Sequence, residues 1–234
     1  MILNMDGILP VYKPVGITSF DMIREFKKAI YLTRRDLVKY KIGHGGTLDP
    51  FADGVLLLLL GKATKKMGEL SALPKTYRAV ARLGRKSDTL DKTGTITPGV
   101  KGSHTPGVLE ITKAATKFVG EIEQEIPDYS AAKIGGVPRY KLARQGKEME
   151  KKSKLITIYA LTIESVTDNK VIFTATVSSG TYIRQLSYDL FKSVGTESYL
   201  EALTRTQIGE YVIDNCCKIE DFNSDGWTEY VIMY

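Results

Sequence analysis

Residues 55–60, VLLLLL bracketed by Gly54 and Gly61, constrain this chain more than any other stretch. Six consecutive apolar residues leave no polar face for water, yet they fall far short of the roughly 20 that cross a bilayer as a helix. The run is also too short and too uniform for the one-sided stripe of a surface helix. It reads as a strand buried on both sides, which obliges the fold to pack a layer above it and another below. A chain of 234 residues with 43% hydrophobic content can bury such a core.

Around this strand, helical and strand periodicities alternate without a low-complexity linker or a solenoid repeat, which predicts a single mixed domain. Thr18 and Ser19 can cap a helix whose stripe is Phe20, Ile23, Phe26 and Ile30, with Arg24, Lys27 and Lys28 towards water. A helix with Ala63, Met67 and Leu70 inward should follow the buried strand. Residues 77–84 and 171–177 alternate as strands, the second with Val171, Phe173, Ala175 and Val177 on one face. After Gly180, Ile183, Leu186, Leu190 and Val194 mark a helix that Gly195 should end in a left-handed cap. Residues 127–147, rich in glycine, basic residues and tyrosine, have no clear period and read as a ligand-facing excursion.

Charge and cysteine usage narrow the setting. An excess of 33 Lys+Arg over 27 Asp+Glu gives a net +6 and favours a polyanionic partner. Cys216 and Cys217, adjacent in sequence, are poorly arranged for a structural disulfide, which fits a reducing cytosol. The first residues show neither a basic n-region nor a long apolar core, so a soluble, unexported protein is expected.

Directly ahead of the buried strand lies GHGGTLDPFADG, a glycine-rich turn that carries Asp49. This is not a phosphate-binding P-loop: six residues separate Gly54 from Gly61 and Ala63 stands where a hydroxyl is required. Nor is it a dinucleotide fingerprint, since Leu48 occupies the third glycine position and the turn precedes its strand. With only His44, His104 and two neighbouring cysteines, no metal is indicated. Taken alone, His44 reads as a turn residue and Asp49, before Pro50, as a cap or turn former.

Five ordered blocks change that reading. GILPVYKPVGITS carries Lys13, Pro14, Gly16, Thr18 and Ser19; GHGGTLDPFADGVL carries Asp49; KTYRAVARLGRKSDTLDKTG carries Tyr77 and an aspartate and threonine turn; QEIPDYSAAKIGGVPRYKLAR follows; SSGTYIRQLSYDL and LTRTQIGEY close the series. In type and spacing they resemble the TruB family of RNA pseudouridine synthases over nearly the whole chain. The resemblance implies an α+β pseudouridine synthase fold, a mixed, largely antiparallel sheet with flanking helices, over residues 1–234. A thumb segment at about 124–150 would grip RNA.

The implied activity is isomerisation of the uridine at position 55 in the T loop of tRNA, on a flipped-out base and without a cofactor. Asp49 becomes the catalytic aspartate, able in principle to attack the sugar, to add to the pyrimidine ring or to assist proton removal from ribose C2′. Arg184, in GTYIR, is the arginine implied to pair with it and keep it charged. Tyr77 would stack on the target base, Tyr182 would lie near the same pocket, Leu203 would supply an apolar wall and His44 would contact the RNA. Lys133, Arg139, Lys141, Arg144 and Lys147 would hold phosphates, with Tyr129 and Tyr140 interleaved.

Ile126, where the family usually has a proline, and Ser178, where a cysteine is common, depart from the pattern. Too few residues follow Gly209 for the small RNA-binding PUA domain of many relatives. A catalytic domain alone is therefore expected, with weaker or more salt-sensitive RNA binding. The implied setting is a cytoplasmic monomer acting on the tRNA T stem-loop, with no membrane and no obligate protein partner. Two other roles share the sequence features: a tRNA-folding chaperone binding the elbow, and a guide-RNA-directed synthase subunit.

Overall fold

The computed structural model describes residues 6–33, 40–99 and 105–233; His104 lies outside them. In chain order the strands and α-helices are β1 (Gly7–Lys13), α1 (Ser19–Thr33), β2 (Ile42–His44), β3 (Asp53–Leu60), α2 (Met67–Ala72), β4 (Lys75–Leu83), β5 (Arg85–Ser87), β6 (Ile96–Pro98), α3 (Val108–Thr116), β7 (Gly120–Glu125), β8 (Lys133–Ile134), β9 (Val137–Pro138), α4 (Arg139–Arg144), β10 (Ser153–Thr167), β11 (Lys170–Val177), α5 (Ile183–Ser193), β12 (Ser198–Ile208), β13 (Tyr211–Val212) and β14 (Ile232–Met233). The class is the expected α+β, with mostly antiparallel pairing. The chain divides into two compact units, one of residues up to 76 and from 204 onward, the other of residues 77–203.

In the first unit β3 is central, and residues 55–60 are all buried, as the apolar run requires. β1 pairs antiparallel along its whole length, from Gly7 opposite Leu60 to Lys13 opposite Gly54. β2 pairs antiparallel through Ile42–His44, and the last part of β12 pairs parallel, Thr204 opposite Asp53 and Arg205 opposite Gly54. Alternation sends Leu56, Leu58 and Leu60 into one core with Leu9, Val11, Phe26 and Trp227. Val55, Leu57 and Leu59 enter the other with Ile8, Ala63, Leu70, Ile208 and Tyr211. Phe26 meets Phe222 and Trp227 edge to face at 5.0 and 4.9 Å between ring centroids. Cys216 and Cys217 are free and fall into opposite cores, as neighbours on extended backbone should.

Two helix assignments need correction. Ile23, Phe26 and Ile30 are buried as the stripe requires, with Met22 beside them in the same core, but Phe20, at the helix start, is 56% exposed and stacks under Arg24 at 4.9 Å. Thr18 alone caps this helix: its Oγ1 accepts from Asp21 N–H at 3.0 Å, and Asp21 Oδ2 accepts from Thr18 N–H at 2.9 Å. After β3 the chain makes a 3₁₀ turn over Gly61–Lys66 before α2, which leaves Met67 43% exposed.

The second unit orders its strands β4, β11, β10, β7. Val171, Phe173, Ala175 and Val177 are fully buried, and Ile183, Leu186 and Leu190 of α5 are buried too. Gly195, at φ +75°, ends that helix as its position predicts. Residues 127–147 hold more order than their sequence suggests: β8 and β9 form a hairpin turned by Gly135 and Gly136, both at positive φ, and α4 follows. Among the described residues no helix is long and apolar enough to cross a membrane.

Candidate functional site

Asp49 sits half-buried on the loop that enters β3, and three devices hold that loop. At its crest, buried Ser19 Oγ accepts from Leu48 N–H at 2.9 Å and donates to Leu48 C=O at 3.3 Å, tying the residue before Asp49 to the start of α1. At its feet, Arg205 donates to the carbonyls of Gly46 and Thr47, both at 3.2 Å, and to that of Val55 at 2.8 Å. Gly16 N–H reaches Pro50 C=O at 2.7 Å, and Ala52 N–H closes a turn on Asp49 C=O at 3.1 Å. The KPxGxTS segment and the GTLDP segment are thus one structure. Lys13, fully buried, makes the first rigid by donating to Pro14 C=O at 2.8 Å and Ile17 C=O at 2.9 Å.

The same region concentrates buried ionisable groups. Burial pushes Lys13 down to about 8, with the Arg205 charge adding to the shift and the Asp53 and Asp49 carboxylates opposing it. Lys75, donating to Ser71 and Leu73 carbonyls, is pushed down to about 8 by burial and then by Arg205. His44 is lowered for the same two reasons, so it is neutral at pH 7, and its Nδ1 is buried without a hydrogen-bond partner. Tyr12, donating to Asp53 at 2.8 Å, is raised to about 12 by burial and that carboxylate. Among the described residues, no three His, Cys, Asp or Glu side chains are grouped to hold a metal.

The second unit carries Tyr77, Tyr182, Arg184 and Leu203. Arg184 is buried on the first turn of α5, where Nη1 donates to Thr89 C=O and Nη2 to Tyr129 C=O, each at 2.8 Å. Asp91 Oδ2 lies 3.5 Å from Nη1. The other Asp91 oxygen accepts from Thr89 Oγ1 at 2.8 Å and from Thr93 N–H and Oγ1 at 2.8 and 2.5 Å. Leu90, between them, takes a left-handed φ of +63°, a conformation that costs a leucine about 1–2 kcal/mol. The turn is therefore held in shape by its surroundings, among them main-chain hydrogen bonds with Leu200 on either side.

Tyr182 is clamped at its main chain by Gln124, whose Oε1 accepts at 2.8 Å and whose Nε2 donates at 3.1 Å. Lys154 Nζ stands 4.3 Å from the centre of its ring and also donates to Gly180 C=O. Tyr77 on β4 and Leu203 on β12 are both buried. In the thumb segment Lys133, Lys141 and Arg144 are exposed, and Arg144 stacks at 5.7 Å over Tyr140. Arg139, expected among the phosphate contacts, is instead 2% exposed. It bonds Asp128 at 2.5 Å and Glu150 C=O at 3.1 Å, and so braces the segment from within.

Sequence reading gave no role to Asp91, Arg205, Gln124 or Lys154. For Arg205 a signal exists: it shares the inward face of β12 with Leu203, and a charge at an inward strand position needs buried partners.

Residues 34–183 match the family model described as TruB family pseudouridylate synthase (N terminal domain). The chain is 41% identical over 228 residues to tRNA pseudouridine synthase B of Clostridium acetobutylicum, covering 97% of this chain and 76% of that protein. It is 37% identical over 231 residues to tRNA pseudouridine synthase B of Aquifex aeolicus, covering 97% and 77%. Its fold is similar to that of a chain solved in a Cbf5-Nop10-Gar1 complex, with a TM-score of 0.75 at 23% identity, over all of this chain and 62% of the other.

Proposed function

From the premise that this chain belongs to the TruB family of pseudouridylate synthases, we propose that it isomerises uridine to pseudouridine in tRNA, at position 55 of the T loop, with Asp49 as the catalytic carboxylate. The observation that carries this reading is the anchoring of Asp49: a half-buried acid on a loop fastened at its crest by Ser19 and at its feet by Arg205. Cleaving the bond from uracil N1 to ribose and rejoining the base through C5 conserves every atom except the C5 hydrogen, which leaves as a proton while N1 gains one. A fixed carboxylate is the minimum such a reaction needs, as nucleophile or as base.

Extruding the uridine costs a few kcal/mol, and stacking on an aromatic ring returns about 1 to 3 kcal/mol. Tyr77 is assigned that stacking, Tyr182 and Leu203 the remaining walls, and Arg184 the task of keeping the carboxylate charged. A neutral His44 suits a hydrogen bond to RNA rather than a phosphate ion pair. Lys133, Lys141 and Arg144 supply the exposed charge of the thumb segment. The protein would work on free tRNA in the cytoplasm, as a monomer and without a guide RNA.

The test is tritium release from an unmodified tRNA transcript labelled at uridine C5 and offered with no guide RNA. Wild-type protein should release it and Asp49→Asn should not, while both bind the transcript; replacing the uridine at position 55 should abolish release. Equal release by the two proteins refutes the role of Asp49. No release from either would leave a tRNA-binding function without catalysis.

A further inference from the structure

Arg205 is 1% exposed, and its guanidinium donates to three main-chain carbonyls. Gly46 and Thr47 lie just before Asp49, and Val55 lies just after the loop has turned into β3. One side chain therefore holds both ends of the segment that presents the carboxylate. Its main chain completes the grip: Arg205 pairs with Gly54, which sits at φ +107° so close that a Cβ there would lie 2.2 Å from Arg205 C=O.

An arginine suits this place for two reasons. Its planar fork offers donors in fixed directions, so three carbonyls that converge from different stretches can be satisfied at once, where a lysine has a single nitrogen to share. Its charge also persists at any working pH, and so it fixes a positive potential under the loop. His44, Lys13 and Lys75 all register that charge, each being driven towards its neutral form by burial and further by Arg205.

We infer that Arg205 is a positioning residue for the reaction, holding residues 46–55 in the one shape that delivers the Asp49 carboxylate and supplying the permanent charge beneath it. This rests on the reading of Asp49 as the catalytic group. The role differs from plain scaffolding because it predicts a loss in the chemical step that exceeds any loss in tRNA binding.

The experiment compares Arg205→Lys and Arg205→Met with wild type and Asp49→Asn. Single-turnover tritium release, tRNA affinity and the titration of His44 by NMR are measured on each. The chain has two histidines, so the signal lost in His44→Gln identifies the ring. A misplacement of about an ångström in a reacting group costs on the order of 100-fold in rate, which is the loss expected for Arg205→Met. Arg205→Lys should lose about tenfold, and tRNA affinity should stay within about threefold of wild type in both. The His44 midpoint should rise in Arg205→Met, where the charge is gone, and hold in Arg205→Lys.

Native rates in both Arg205 variants, with Asp49→Asn inactive, would overturn the inference while leaving the reading of Asp49 intact. Rate, affinity and thermal stability falling in parallel would reduce Arg205 to scaffolding. Should Arg205→Met not fold, Arg205→Lys decides: a slowed rate with normal affinity supports the inference and a native rate overturns it. Full activity in Asp49→Asn would remove the underlying reading and this inference with it.

Discussion

Arg184 Nη1 lies 3.5 Å from Asp91 Oδ2, and both side chains are almost wholly buried. The pair does not float in the interior: the carboxylate also holds Thr89 and Thr93, and the guanidinium also holds the carbonyls of Thr89 and Tyr129. A buried ion pair is costly to desolvate and is tolerated when its remaining hydrogen-bonding groups are met, which is the case at this turn. The arrangement sets the direction of Arg184 more firmly than it adds to stability.

Removing one partner of such a pair costs about 3–5 kcal/mol, because the other charge stays buried. Asp91→Ala should therefore shift the urea midpoint strongly, and Asp91→Asn, which keeps an acceptor for the threonines, should shift it less. Both should slow tritium release more than they weaken tRNA binding. An Asp91→Ala protein with wild-type stability and rate would show that the pair has neither role.

Adjacent hydroxyls on α1 allow a sharper comparison. Thr18 caps the helix in the open, and a lost cap costs about 1 kcal/mol. Ser19 is buried on Leu48, and leaving that N–H without an acceptor costs about 1–3 kcal/mol. Thr18→Ala should lower stability and leave turnover alone, whereas Ser19→Ala should lower both, since the loop carrying Asp49 loses its crest attachment. Equal rates in the two variants would detach Ser19 from the reaction.

Gly54 offers a backbone test of the same loop. It needs φ +107°, and an added methyl would strike the main chain of Arg205, which cannot swing aside as a side-chain tip could. Gly54→Ala should lose more than about 3 kcal/mol, or fail to fold. Gly16→Ala, also at positive φ but with nothing within 4 Å of its Cβ, should lose only the conformational term of about 1–2 kcal/mol. Similar stability in the two proteins would mean that contact at Gly54 is relieved elsewhere.

Legibility in the sequence followed the size of the signal. Residues 55–60 could be placed because an unbroken apolar run has few solutions, and the four alternating residues of β11 because period two repeats four times. The thumb segment defeated periodicity since β8 and β9 are two residues each, although the Gly135–Gly136 pair was a hairpin signal in plain sight. Phe20 and Met67 were misplaced because each lies in the first turn of its helix, where an apolar residue continues the stripe in sequence without reaching the core that the rest of the stripe enters. Asp49 and Arg184 could be singled out through their motifs, whereas the groups that hold the chain around each of them could not. Arg205 was marked only as a charge at an inward strand position; the carbonyls it holds, and the turn that Asp91 holds, leave no mark in a sequence.

A pH dependence follows from Asp6, at the start of β1. Its carboxylate accepts from Tyr40 OH at 2.5 Å and Lys62 N–H at 2.8 Å and pairs with Lys62 Nζ at 3.2 Å. Those hydrogen bonds, led by Tyr40, hold it at about 2 against an ordinary 3.8. Because the folded form keeps its charge to lower pH than the unfolded form, the stabilisation is complete above about pH 4 and disappears as pH falls through about 2. Thermal midpoints of wild type and Asp6→Asn should therefore differ by a constant amount near neutral pH and converge in acid. A difference that persists unchanged to about pH 2 would mean that shape and hydrogen bonding, rather than the charge of Asp6, fasten β1 to the turn after β3.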